Sequence, residues 1–194
     1  MRAIVATRPG GPEVLKIIDT AEPDARPGEV KIRVHAFGLN KAESYYRSGN
    51  YGMINSGLAL GYEAVGEVVQ DPSGVLSPGQ RVATAMGGMM TQRHGGYAEY
   101  ITVSARNVIP MTSRLEYVEL AALPEVYLTA WGGLQKSLRI AEGQCLLVRG
   151  ATSSLGLAAV AYAKMRGLKT IATSRRPQGI ERLQSRRHLG AMVR

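Results

Sequence analysis

The chain has 194 residues, 45% of them hydrophobic, 20% charged and 6% aromatic, with 24 Lys and Arg against 15 Asp and Glu and a single cysteine. This is a soluble globular composition of one domain or slightly more, and one cysteine excludes both a disulfide-stapled secreted scaffold and a four-cysteine zinc lobe, so a reducing cytoplasm is the expected location. Of the net charge of +9, residues 175–194 carry +5, in six arginines and one glutamate, and the rest of the chain +4; no aromatic residue interleaves with that basic run, which argues for a solvated face or an anion site and against nucleic-acid binding.

In chain order, residues 1–9 predict a first strand, since their apolar run is too short for a secretory segment and a proline follows at once. Residues 14–18, 30–36, 64–69, 81–85 and 97–103 are rich in β-branched and aromatic side chains, several with period-two alternation, and are separated by proline- and glycine-rich stretches. Many strands and few helices predict a small barrel-like β domain. One short helix is expected at 41–47, after the Gly38-Leu39-Asn40 corner. No segment approaches the roughly 18 apolar residues of a membrane span.

Near Leu115 the period changes to that of a helix. Leu115, Val118 and Ala122 predict one buried face, and a second helix is expected from Pro124 to about Leu138, with Val126, Leu128, Trp131 and Leu134 available for burial. A buried strand at 145–148, a tight turn at 150–154, a helix to about Arg166 stopped by Gly167, and a strand at 169–173 together predict a βαβ unit. Within an apolar strand, Cys145 is expected to be inert core.

The turn after the first of these strands carries the chemistry. A strand ending in small residues and followed at once by a helix aims unpaired N–H groups and the positive end of the helix dipole at one point, which suits a pyrophosphate. The GxGxxG fingerprint is incomplete, because Ala151 and Ser153 precede Gly156 where glycines would stand. On spacing alone the turn is either a nucleotide site or an ordinary βα turn. The end of the second strand adds a sharper signal: Ser174-Arg175-Arg176 occupies the place where an NAD enzyme carries the carboxylate that accepts from the ribose 2′-hydroxyl. A hydroxyl and two guanidiniums suit a 2′-phosphate, so NADPH is expected over NADH, the alternative being two solvated arginines at a strand end.

Five segments in the same order, GLNKAESYYRSGNYG from Gly38, GYEAVGEVV from Gly61, HGGYAEYITV from His94, LPEVYLTAWGGL from Leu123 and RGATSSLGLAA from Arg149, resemble the zinc-independent, zeta-crystallin-like quinone oxidoreductase branch of the medium-chain dehydrogenase/reductase superfamily. The resemblance extends to about Pro177. It implies a GroES-like β-barrel catalytic domain at 1–122, a partial Rossmann domain at 123–194, and NADPH-dependent reduction of quinones or activated alkenes or carbonyls. In zinc-dependent relatives the places of Asn40 and Tyr62 hold a cysteine and a histidine ligand. Neither residue here offers a thiolate or imidazole, and His35, His94 and His188 lack ligand spacing, so no metal is expected.

By the same resemblance, the nicotinamide lies between the domains, with Asn40, Tyr45 and Tyr62 on the barrel side, Thr129 approaching from the helix after Pro124, and Thr152, Ser153, Ser154, Leu155 and Gly156 holding the pyrophosphate. Asn40 would orient a substrate carbonyl and Tyr45 would donate to developing charge on oxygen, or Tyr45 and Tyr46 would only pack the wall. Glu63 is expected to be structural. Family members are longer and form homodimers through a later sheet edge. The chain is thus expected to hold two strands of a sheet of about six, with an apolar edge uncovered. A truncated, non-catalytic remnant that binds NADPH weakly is the alternative function.

Overall fold

The computed structural model describes residues 1–184 and 190–193, and the chain divides into two compact units, Met1–Glu125 and Val126–Arg194. In the first unit, β1 (Arg2–Ala6) pairs antiparallel with β2 (Leu15–Asp19). Val14, expected to begin that second strand, instead ends a 3₁₀ turn opened by Pro12, whose fixed φ suits a first helical position. A five-stranded antiparallel sheet is built from β3 (Glu29–Ala36), β4 (Glu63–Gln70), β5 (Arg81–Ala85), β6 (Tyr100–Ser104) and β7 (Val108–Pro110), in the order β6-β3-β4-β5-β7. Bridges Ala3↔Ala98 and Val5↔Ala59 tie β1 to the segments flanking this sheet.

Period-two alternation places Val30, Ile32, Val68, Val82, Ile101 and Val103 on one inner face, where all are fully or almost fully buried. Each such burial stabilises by about 1.5–3 kcal/mol, so this face sets strand register. α1 (Lys41–Arg47) begins at Asn40, with Glu43 accepting from the Asn40 N–H at 2.8 Å in a capping box.

α2 is a single turn, Tyr117–Leu120, and it buries Leu120 and Ala121. Leu115, Val118 and Ala122, expected on its buried face, are exposed, Val118 by 77%. The reason is Tyr117, whose hydroxyl donates to Glu67 Oε1 at 2.9 Å and whose ring stacks on His35 at 4.4 Å, which turns the helix. α3 (Pro124–Trp131) continues through a π-helical turn at Gly132–Ser137. Its buried stripe is Val126, Ala130 and Leu134, four residues apart, so Leu128 and Trp131 fall outside it and are exposed.

In the second unit, β8 (Cys145–Val148), α4 (Ser154–Met165) and β9 (Lys169–Ser174) form the βαβ unit, with β8 and β9 parallel. α5 (Pro177–Gln184) leads to β10 (Gly190–Val193), which pairs parallel with β9. Among the described residues the sheet therefore has three strands, β10-β9-β8, one more than the two expected, and Gly190 starts the third. His188 lies outside the described residues. Leu146 and Val148 pack beneath the α4 residues Ala159 and Val160, while Cys145 and Leu147, on the opposite face of an edge strand, are exposed, Leu147 by 58%. Cys145 is thus not core: among the described residues no element covers that face. No described helix is long and apolar enough to cross a membrane.

Candidate active site

In the first unit two of the expected site residues, Asn40 and Tyr62, are tied to two buried carboxylates. Glu43 of α1, 4% exposed, accepts from the backbone N–H of Asn40 at 2.8 Å, from the backbone N–H of Tyr62 at 2.9 Å and from the Tyr97 hydroxyl at 2.6 Å. Glu63, at the start of β4 and 2% exposed, accepts from Asn40 Nδ2 at 2.7 Å and from the Glu125 N–H at 2.8 Å. Asn40 is therefore held at both its backbone and its amide. The Tyr62 backbone N–H is tied to the same α1 carboxylate, and its carbonyl accepts from Met86 N.

These contacts set the titration behaviour. Burial pushes the Glu63 carboxyl above its ordinary value, against the pull of the Glu125 N–H and the Asn40 amide. The Tyr97 hydroxyl is pushed far above the phenolic range, first by burial and then by the Glu43 carboxylate it serves, so it remains a donor. Tyr62 is also raised, mainly by burial. His94, lowered by burial, accepts from the Ala59 N–H through Nδ1, a structural use of a neutral imidazole.

The two adjacent tyrosines separate cleanly. Tyr46 is buried, donates to Met90 O at 3.3 Å and accepts from Asn55 N at 2.9 Å, so it is part of the core. Tyr45 is 42% exposed, with the Tyr51 ring edge-on at 5.9 Å and Lys41 Nζ 5.3 Å from its own ring centre. Of the two, Tyr45 is the exposed one.

In the second unit the turn after β8 is pinned to β9 by the Ala151 N–H, which donates to Thr173 O at 3.0 Å. Ser153 is the N-cap of α4: its hydroxyl accepts from Gly156 N at 3.0 Å and donates to Gly150 O at 2.9 Å. The side chain expected to reach a phosphate is thus engaged in shaping the turn, leaving the N–H groups of Ser154 and Leu155 without intrahelical acceptors. A Cβ on Gly156 would lie 2.5 Å from Gly150 O and 2.7 Å from Ala151 Cα, so the turn closes only around a glycine there.

Ser174 is buried and folds the strand end back, donating from Oγ to Arg176 O at 3.0 Å and accepting from Arg176 N at 3.2 Å. Arg175 and Arg176 are exposed beside it, and Thr129 lies on the exposed side of α3. Gly179 of α5 joins these parts, since a Cβ on it would lie 2.3 Å from Ser174 Oγ and 2.9 Å from Thr152 Cγ2. Sequence reasoning assigned no site role to Glu43 or Gly179. The Asn-x-x-Glu spacing of a capping box was the available signal for Glu43; nothing local signals Gly179. Among the described residues no three His, Cys, Asp or Glu side chains group in a way that would hold a metal ion.

Residues 26–113 match the alcohol dehydrogenase GroES-like domain. The human quinone oxidoreductase is 35% identical over 183 residues, covering 92% of this chain and 54% of that protein. Over nearly its whole length the chain is similar to the quinone oxidoreductase branch of the medium-chain dehydrogenase/reductase superfamily. Among solved structures, the Escherichia coli quinone oxidoreductase complexed with NADPH is similar with a TM-score of 0.85 and 27% identity, over 99% of this chain and 58% of that one. An NAD-dependent alcohol dehydrogenase is similar with a TM-score of 0.87 and 29% identity, over 100% and 63%. The fold is that of a GroES-like β-barrel domain followed by part of a Rossmann domain, and the chain spans about half the length of the curated relatives it matches.

Proposed function

We propose that this chain carries the substrate-orienting and phosphate-binding residues of a zinc-independent, NADPH-dependent oxidoreductase that reduces quinones or activated alkenes or carbonyls. The observation that carries the reading is in the second unit: the turn after β8 and the exposed Arg175-Arg176 pair after β9 lie at the same end of two paired strands, joined by the Ala151-to-Thr173 bond and by the close packing of Thr152, Ser174 and Gly179. The residues fit the cofactor. A helix N-terminus with two open N–H groups suits a pyrophosphate, and two guanidiniums suit a 2′-phosphate and would gain little from a bare 2′-hydroxyl. When bound, NADPH supplies the hydride.

Thr152, Ser154 and Leu155 bind the pyrophosphate through backbone N–H groups, while Ser153, which accepts from the Gly156 N–H, holds the turn and Gly156 lets it close. Arg175 and Arg176 take the 2′-phosphate, and Ser174 fixes the backbone from which they project. Thr129 and Tyr62 complete the cofactor contacts. Asn40 orients the acceptor carbonyl, and Tyr45 donates a hydrogen bond or proton as charge develops on oxygen. Neither Asn40 nor Tyr62 supplies a thiolate or imidazole for zinc, which supports the zinc-independent assignment.

The test is NADPH oxidation by the purified chain with a benzoquinone or enone acceptor, compared with NADH, alongside cofactor titration by quenching of Trp131 fluorescence. NADPH-selective binding with turnover supports the reading; no binding of either cofactor excludes it. The exposure of Cys145 and Leu147 on β8 favours a second reading, weak NADPH binding without turnover. Quenching without oxidation would select it.

A further inference from the structure

We propose that Glu63 is a positioning residue whose buried carboxylate sets which way round the Asn40 amide stands, so that Asn40 meets an acceptor carbonyl with an N–H donor. This rests on the reading of Asn40 as the group that orients the acceptor. A carboxylate has only acceptors, so the end of the amide facing Glu63 Oε1 at 2.7 Å is the nitrogen. In the capping box that Asn40 forms with Glu43, the amide oxygen is turned to the first turn of α1. One of the two Nδ2 hydrogens goes to Glu63, and the second is the donor left for a ligand.

Glu63 is itself gripped. Its other oxygen accepts from Glu125 N at 2.8 Å, and a Cβ on Gly38 would lie 2.1 Å from Oε1 and 2.8 Å from the carbonyl oxygen of Ala121, so the loop carrying Asn40 lies directly on the carboxylate. The titratable groups that face it are Glu43 from α1, Glu125 at the start of α3 and Tyr97 ahead of β6. Among the described residues Glu63 forms no ion pair with a lysine, arginine or histidine.

A proton on Glu63 converts one oxygen into a donor, which satisfies Asn40 Oδ1 as well as an acceptor satisfies its N–H. The amide then loses the acceptor that fixes its Nδ2, and its orientation rests on the α1 capping contact alone. Glu63→Gln has the same consequence at neutral pH: one of its two ends is an NH₂, so it cannot accept from both Asn40 and Glu125.

The experiment follows the side-chain amide resonances of the full chain labelled with ¹⁵N-asparagine. There are four asparagines, Asn40, Asn50, Asn55 and Asn107, and Asn40→Ala assigns the relevant pair. The expected result is one Asn40 amide proton well downfield of its geminal partner at neutral pH, returning toward the free-amide position on acidification and in Glu63→Gln, with partial recovery in Glu63→Asp. With NADPH and a quinone, Glu63→Gln is expected to lower kcat by about tenfold and to leave KM for NADPH within about twofold, the size of one lost orienting hydrogen bond.

An Asn40 pair that is indifferent to pH and to Glu63→Gln overturns the proposal, and so does an unchanged kcat in a Glu63→Gln protein whose amide has moved. Should Glu63→Gln fail to fold, the pH titration of the wild-type chain decides alone. A wild-type chain that shows the expected amide behaviour but oxidises no NADPH supports the positioning by Glu63 and removes the oxidoreductase reading instead.

Discussion

The Tyr97 hydroxyl donates a 2.6 Å hydrogen bond to Glu43 Oε2, inside a unit where that carboxylate also holds the backbones of Asn40 and Tyr62. A buried acceptor that loses a donor bears the full desolvation cost. Tyr97→Phe is therefore expected to destabilise by about 1–3 kcal/mol, measured by urea unfolding. A change within ±0.5 kcal/mol, the ordinary range of a surface substitution, would show that Glu43 is satisfied without Tyr97.

Gly179 sits inside α5, where alanine would ordinarily gain roughly 0.8–1 kcal/mol of helix propensity. The methyl would instead meet Ser174 Oγ at 2.3 Å and Thr152 Cγ2 at 2.9 Å. Overpacking of this kind costs about 1–3 kcal/mol, so the clash outweighs the propensity. Gly179→Ala should lower the unfolding midpoint, and Ser174→Ala in the same chain should recover part of the loss. A more stable Gly179→Ala protein would contradict this packing.

Arg175 and Arg176 are expected to carry selectivity between the two nicotinamide cofactors. Replacing both by alanine should weaken NADPH binding by roughly 10- to 100-fold, the loss of one or more charge-assisted hydrogen bonds, and change NADH affinity by less than about twofold. Fluorescence titration with both cofactors checks it. Equal losses for NADPH and NADH would point to general damage to the turn.

His94 is kept neutral by burial, with its value below the ordinary 6.5. Its unfolded form therefore takes up a proton before the folded form does. The stability this group supports is fully present above pH 6.5 and is lost as pH falls through 6.5 toward the lower folded value. His94→Asn, which keeps an acceptor for the Ala59 N–H, should show a smaller fall in unfolding free energy between neutral and mildly acidic pH than the wild-type chain. Parallel curves for the two proteins would remove His94 from the acid response.

Cys145 and Leu147 form an exposed apolar pair on an edge strand. A maleimide should label Cys145 stoichiometrically in the folded chain under conditions where unfolding is negligible. Leu147→Lys should cost little stability and reduce self-association in light scattering. Protection of Cys145 in the folded monomer would mean that the face is covered.

Much of this architecture follows from local pattern. Period-two alternation located β3, β4 and β5 to within a residue or two, the corner at Asn40 announced α1, and the small-residue turn before Gly156 announced the βαβ unit. The arginine pair at the end of β9 was equally legible, since its place needs only a strand, a turn and a helix in succession, whereas Ser153, expected on the pyrophosphate, turned out to cap α4.

What tertiary structure decided is which faces are covered and which distant groups meet. The α2 face was misread because Tyr117 is anchored by Glu67, 50 residues away, and Cys145 because burial of a strand depends on the strand beside it. Glu43 acquires its third donor from Tyr97, 54 residues along the chain, and Glu63 reaches Asn40 across 23 and Glu125 across 62. The sequence by itself determined the family resemblance, the succession of β3, β4 and β5 in the first unit and the strand-helix-strand order of the second. The orientation of Asn40 and the need for Gly179 arose only when the chain closed, because hydrogen-bond partners and steric gaps are properties of space and local sequence carries no record of them.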